Sequence, residues 1–147
     1  YVSFLYNFYS SRSPTPVLTL ATRFGGGYNL GEFEFYQANI IGGRTGENVR
    51  GFLGERFAGK ASAYNNFEAR LRLFHFNAYI FPADFGIVGL LDNGQVWQDG
   101  IDKHKLHTGY GGGIWLSPFS LAVLTATLAF SEEQSYGFLN VKLGWWF

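Results

Sequence analysis

The seven residues Phe67-Glu-Ala-Arg-Leu-Arg-Leu73 set Phe67, Ala69, Leu71 and Leu73 against Glu68, Arg70 and Arg72. Side chains alternate across an extended strand, so this is one purely apolar face backed by three charges. Such a strand is hard to place in a soluble core.

The same two-residue period runs outward in both directions. Towards the N-terminus, Leu18, Leu20 and Phe24 oppose Thr19, Ala21 and Arg23. Towards the C-terminus, Leu124, Ala126, Leu128 and Phe130 oppose Thr125, Thr127 and Ser131. In the last segment Leu139, Val141, Leu143, Trp145 and Phe147 oppose Asn140, Lys142, Gly144 and Trp146. Counted this way, alternation predicts eight strands, over 1–11, 16–28, 33–42, 62–76, 85–97, 107–117, 121–131 and 136–147. Each is roughly the ten residues that a tilted strand needs to cross a bilayer.

Composition points the same way. The chain has 147 residues, the size of one domain, with no Cys and therefore no disulfide framework or thiolate metal site. Its formal net charge of zero lacks the basic footprint of a nucleic-acid binder. Charged residues make up 15%, too few to wet an ordinary surface, while 16 Phe, 9 Tyr and 4 Trp supply aromatics in excess. No run approaches the ~18 to 20 apolar residues of a membrane helix, and no signal-peptide pattern opens the chain. It begins directly on a strand, so the natural N-terminus is expected upstream.

Alternation alone fits a soluble lipocalin-like barrel as well as a membrane barrel, because either can bury one face. The connections separate them. After segments 1, 3, 5 and 7 come "SSRSPTP", "GRTGENVRGFLGERFAGKA", "QDGIDKHKL" and "SEEQS"; after segments 2, 4 and 6 come "NLGE", "FNAYIFPAD" and "SPFS". Polar loops at one end and shorter turns at the other are the asymmetry of an outer-membrane barrel. Aromatics gather at the turn end, and Phe74, Phe76, Tyr79, Phe81, Phe119 and Trp146 are expected to form a girdle at the headgroup level.

The interval 43–61 carries Arg44, Glu47, Arg50, Glu55, Arg56 and Lys60 and is long enough to be functional. Within it, Val49 and Phe52 give the loop apolar anchors, and Gly51 relaxes the backbone so that Arg50 can project. An arginine turned into a barrel lumen needs carboxylates, since burying its charge alone costs several kcal/mol. Glu68, and Asp92 at the end of the uncharged run "FGIVGLL", are the candidates.

The arginine loop, the Glu-bearing strand, "GLLDNGQVW", "GYGGGIWLSP" and an aromatic-terminated last strand together resemble the C-terminal half of the BamA/TamA superfamily (bacterial surface antigen family). These are outer-membrane assembly and translocation barrels. The resemblance covers essentially the whole chain and rests on the order of the motifs. It implies the second half of a barrel of roughly sixteen antiparallel strands, with loop 43–61 extracellular and folded back into the lumen. Val49, Arg50, Gly51 and Phe52 would form its tip, latched to Glu68 and Asp92. The last strand, through Asn140, Lys142, Gly144, Trp145 and Phe147, would form a lateral seam with the barrel's first strand. Lys142 departs from the pattern, which favours glycine there. The implied activity is insertion or translocation of polypeptides at the outer membrane of a diderm bacterium, without cofactor or metal. Implied partners are outer-membrane lipids, the N-terminal barrel half, upstream periplasmic domains, client polypeptides and accessory lipoproteins. Two other readings remain: an anchor or export pore for an upstream phosphoesterase- or patatin-like enzyme, and a small closed structural barrel.

Other constellations carry less. Glu68 and Asp92 could act as an acid/base pair, but Arg50 makes a structural ion pair the simpler account, so no enzyme is expected. Asp99, Asp102, His104 and His107 match no zinc spacing. Gly109, Gly111 and Gly113 precede no helix and so form no phosphate cradle; they are expected to leave room for the loop or to ease strand curvature. With Asp92 turned inward, Asn93 faces outward near the interface.

Overall fold

A computed structural model of the chain describes residues 2–10, 16–31, 34, 37–42, 48–52, 57–77, 82–98, 105–119 and 122–144. Among these, seven strands form one antiparallel sheet: β1 (Val2–Tyr9), β2 (Pro16–Tyr28), β5 (Ala61–Asn77), β6 (Pro82–Trp97), β7 (His107–Pro118), β8 (Val123–Ser131) and β9 (Gln134–Gly144). They lie side by side in that order, and β1 and β9 are its edges. A separate two-stranded sheet pairs β3 (Asn39–Ile41) with β4 (Phe57–Gly59).

The sheet wears its apolar face outside. One register row runs Phe8, Leu18, Leu71, Ile87, Ile114, Ala126 and Val141 across all seven strands. Along it Phe8, Leu71, Ile87, Ile114 and Val141 are exposed. A second row, five residues further towards the loop end and on the opposite face, runs Ser3, Arg23, Asn66, Asp92, Gly109, Ser131 and Gln134. On that face Asn66, Asp92 and Ser131 are buried, as are Thr19, Asp84, Ser117 and Thr127. Polar residues inside and large aliphatics outside invert the arrangement of a water-soluble fold.

The described part of the expected strand over 33–42 is not part of this sheet. Of that segment, Asn39–Ile41 is strand, and it pairs with β4 inside the interval expected to be loop. Its apolar side chain Ile41 is buried with Val49 and Phe52, against Phe57, Tyr64 and Val96, instead of lying on the exposed face. Among the described residues the main sheet therefore has seven strands, not eight, and β2 pairs directly with β5, Ala21 opposite Glu68. The whole interval 29–60 becomes one excursion, closed at its base by Lys60, whose carbonyl accepts from the Asn29 amide and from Asn39 Nδ2, both at 2.9 Å. With one strand fewer, "SSRSPTP" moves to the same end as the connections 78–81 and 119–122, and "NLGE" joins the long loop at the other.

Candidate functional site

The excursion returns over the polar face and sets its tip, Val49 to Phe52, on β5 to β8. Val49 and Phe52 anchor it in the small apolar cluster, while Gly51 turns the chain with φ of 92°. Between them Arg50 is drawn beneath the surface. Its amide donates to Asp92 Oδ2 at 2.9 Å, and its Nε and Nη2 donate to Oδ2 and Oδ1 at 2.7 Å each, a bidentate fork with a third bond from the backbone. Nη1 pairs with Glu68 Oε1. The other Glu68 oxygen is held by Arg70 Nη2 at 2.8 Å.

Asp92 is fully buried and Arg50 is 6% exposed, so neither charge has water to fall back on. Burial by itself would lower the Arg50 pKa, but the hydrogen bonds and charge of Asp92, followed by those of Glu68, outweigh it and hold the guanidinium above its ordinary value. The arginine is permanently charged.

Glycines make room for the tip. A Cβ at Gly94 would come within 2.6 Å of Val49 Cγ2, one at Gly51 within 2.6 Å of the Phe130 carbonyl oxygen, and one at Gly109 would overlap the Arg50 carbonyl. Gly109 thus leaves room for the loop, whereas Gly111 and Gly113 crowd the backbone of β8 and ease the approach of the two strands.

All six residues expected at the tip and its receptor are therefore brought together. Asn140, Lys142 and Gly144 lie on β9, at the edge of the sheet; Trp145 and Phe147 lie outside the described residues. Phe74, Phe76 and Phe119 are exposed at the turn end, while Tyr79, Phe81 and Trp146 lie outside the described residues, as do Asp99, Asp102 and His104. His107 faces Glu133, with its Nδ1 2.9 Å from Oε1, and stacks on Phe57 at 3.6 Å. Asn93 accepts from Thr108 Oγ1 at 2.9 Å.

Three contributors were not anticipated. Asn66 donates to the Asn48 carbonyl at 2.6 Å and accepts from Arg23 Nε at 3.0 Å, which ties the loop to β2, yet an asparagine within a polar run gives no signal. Arg70, two residues from Glu68 on the same face, was legible from alternation alone. Asp84, buried near the turn end, meets His75 Nδ1 at 2.8 Å and Arg72 Nη1 at 3.5 Å; its strand was expected to begin at residue 85.

Compared with family models, with characterised proteins and with solved structures, the chain matches none.

Proposed function

We propose that the chain is part of a transmembrane β-barrel of the outer membrane of a diderm bacterium, of the kind the BamA/TamA resemblance implies, which inserts or translocates polypeptides. One observation carries this reading: a loop-tip arginine is held by two carboxylates on the polar face of a sheet whose other face is exposed and apolar. The apolar rows give lipid a surface that water would penalise at about 25 cal/mol per Å². The exposed Phe74, Phe76 and Phe119 at one end fit a girdle. On this reading the polar face lines the lumen, the excursion 29–60 is extracellular and inserted, and further strands complete the wall beside β1 and β9.

The activity would need no nucleotide or metal. An edge strand offers unpaired backbone donors and acceptors, and β9 could part from its neighbour in the wall and template a client strand. The test is reconstitution of the native protein in phospholipid vesicles with a urea-unfolded outer-membrane client. The expected result is faster client folding than in empty vesicles, lost when a disulfide fixes the free edge of β9 to the barrel's first strand. Equal folding rates with and without the protein would overturn the reading.

A further inference from the structure

We infer that the outward face of the sheet carries a docking belt for the headgroup layer of a lipid bilayer, built from Thr22, Asn65, Asn93 and Thr108 at the loop end. The inference rests on the membrane reading above and adds where the bilayer sits and what holds it there. Phe24 on β2, Asn65 on β5, Asn93 on β6 and Thr108 on β7 stand opposite one another in a single row, with Thr22 one step below. Alternation puts this row on the same face as the exposed Phe67, Leu71, Ile87, Leu91 and Ile114. None of its side chains is charged; what it offers is neutral donors and acceptors.

The belt is half satisfied from within. Asn65 Nδ2 donates to Thr22 Oγ1 at 3.1 Å and to the Arg23 carbonyl at 3.4 Å, and Thr108 Oγ1 donates to Asn93 Oδ1 at 2.9 Å. Among the described residues that leaves the Asn65 side-chain oxygen and Asn93 Nδ2 without a bond, on two amides that the register sets directly opposite each other. In hydrocarbon such groups are costly to leave unmet, whereas the ester carbonyls, hydroxyls and water of a headgroup layer meet both kinds. The other boundary is aromatic. Phe76 stands opposite Ala83 on β6, and the Phe74 ring centre lies 6.3 Å from that of Phe76 and 6.4 Å from that of Phe85. Between the two rows β6 turns only Leu91, Gly89, Ile87 and Phe85 outward. Asn93 and Ala83 are ten residues apart on that strand, about 34 Å when extended, and a tilt of about 40° reduces this to roughly 25 Å of height, the span of the apolar band on an outer-membrane barrel. Two boundaries of different chemistry thus stand one hydrocarbon thickness apart.

These residues include no Cys, so a single introduced cysteine reports one place, any cysteine elsewhere in the native protein being first replaced by serine. The native protein is reconstituted in phosphatidylcholine vesicles with a fluorescent label on Asn93→Cys or on Gly89→Cys, where a Cβ meets nothing within 4 Å. Lipids bearing a nitroxide either at the headgroup or deep in the acyl chain serve as quenchers. At Asn93 the headgroup nitroxide is expected to quench more strongly than the deep one, and at Gly89 the order should reverse. Replacing Asn65 and Asn93 by Leu should move a label on Thr108→Cys towards the deep nitroxide, because the groups that stop the hydrocarbon there are gone; an unmoved label overturns the belt. Stronger quenching by the deep nitroxide at both Asn93 and Gly89 also overturns it, as does a label at Asn93 that neither lipid reaches while Gly89 is quenched, which would mean that water or another protein chain covers the row; in both cases the membrane reading survives. No quenching at either position overturns the membrane reading and the belt with it. Should Asn93→Cys fail to fold, Thr108→Cys in the same row takes its place with the same expectations.

Discussion

Arg50 brings a full charge to a place where Asp92 has no solvent at all, and each is tolerable there because of the other. Breaking such a pair by removing one partner costs about 3–5 kcal/mol, because the remaining charge stays buried and uncompensated. Arg50→Ala should therefore lower the unfolding free energy of the detergent-solubilised protein by that amount, read as a lower urea midpoint in tryptophan fluorescence. The double variant Arg50→Ala with Asp92→Ala should lose clearly less than the sum of the two single losses. Gly109 gives a steric test. Its Cβ would overlap the Arg50 carbonyl, whereas a Cβ at Gly89 would meet nothing within 4 Å. Gly109→Ala should expose the 29–60 excursion to limited proteolysis, and Gly89→Ala should leave the digestion pattern unchanged. Arg50, Glu68 and Asp92 were legible in the sequence because charges in apolar surroundings demand partners, and three candidates left few pairings. Asn66 was not, because an uncharged amide among polar neighbours leaves no pattern behind.

At the scale of elements, alternation located the strands of the main sheet but could not tell a strand of that sheet from a strand within the loop. Segment 33–42 has β-forming residues, but Ile41 packs with Val49 and Phe52 within the excursion, a long-range preference that no local period records. The connection leading into β7 shows how loop and sheet are tied. Glu133, in the turn between β8 and β9, meets Lys105 Nζ at 3.0 Å and His107 Nδ1 at 2.9 Å. Partial burial would raise the Glu133 pKa, but its bonds to Lys105 and His107 and their charge win, so it lies below the ordinary 4.5. A carboxylate depressed on folding stabilises the folded state fully above its unfolded pKa, and the contribution fades as pH falls through the lower, folded value. Hydrogen exchange at residues 105–107 and 132–133 should therefore be slow and steady above pH ~4.5 once corrected for intrinsic rates, and should accelerate below it. In Glu133→Gln that acceleration should vanish, with exchange already faster at neutral pH.

For the molecule as a whole, the placement of polarity decides more than any single bond. The exposed row through Leu71, Ile87 and Ile114 crosses the middle of the sheet, where a bilayer would be driest on the proposed reading. Ile114→Arg should cost about 2–4 kcal/mol of folding into phosphatidylcholine vesicles, measured by urea titration, and Tyr110→Arg, nearer the loop end of the same strand, should cost less. Equal costs at the two sites would argue against a membrane lying across this face. The tip of the excursion also has a temporal consequence. Arg50 meets Glu68 and Asp92, 18 and 42 residues away, and Gly51 lies against the Phe130 carbonyl. Its seat therefore does not exist until β5, β6, β7 and β8 have paired, although the tip itself precedes all four along the chain. Docking is therefore expected to follow the pairing of the strands, and contacts made after the rate-limiting passage restrain departure more than arrival. Loosening Arg50 should leave the refolding rate nearly unchanged and shorten the lifetime of the folded protein, as expected of a lock closed last on an already assembled sheet.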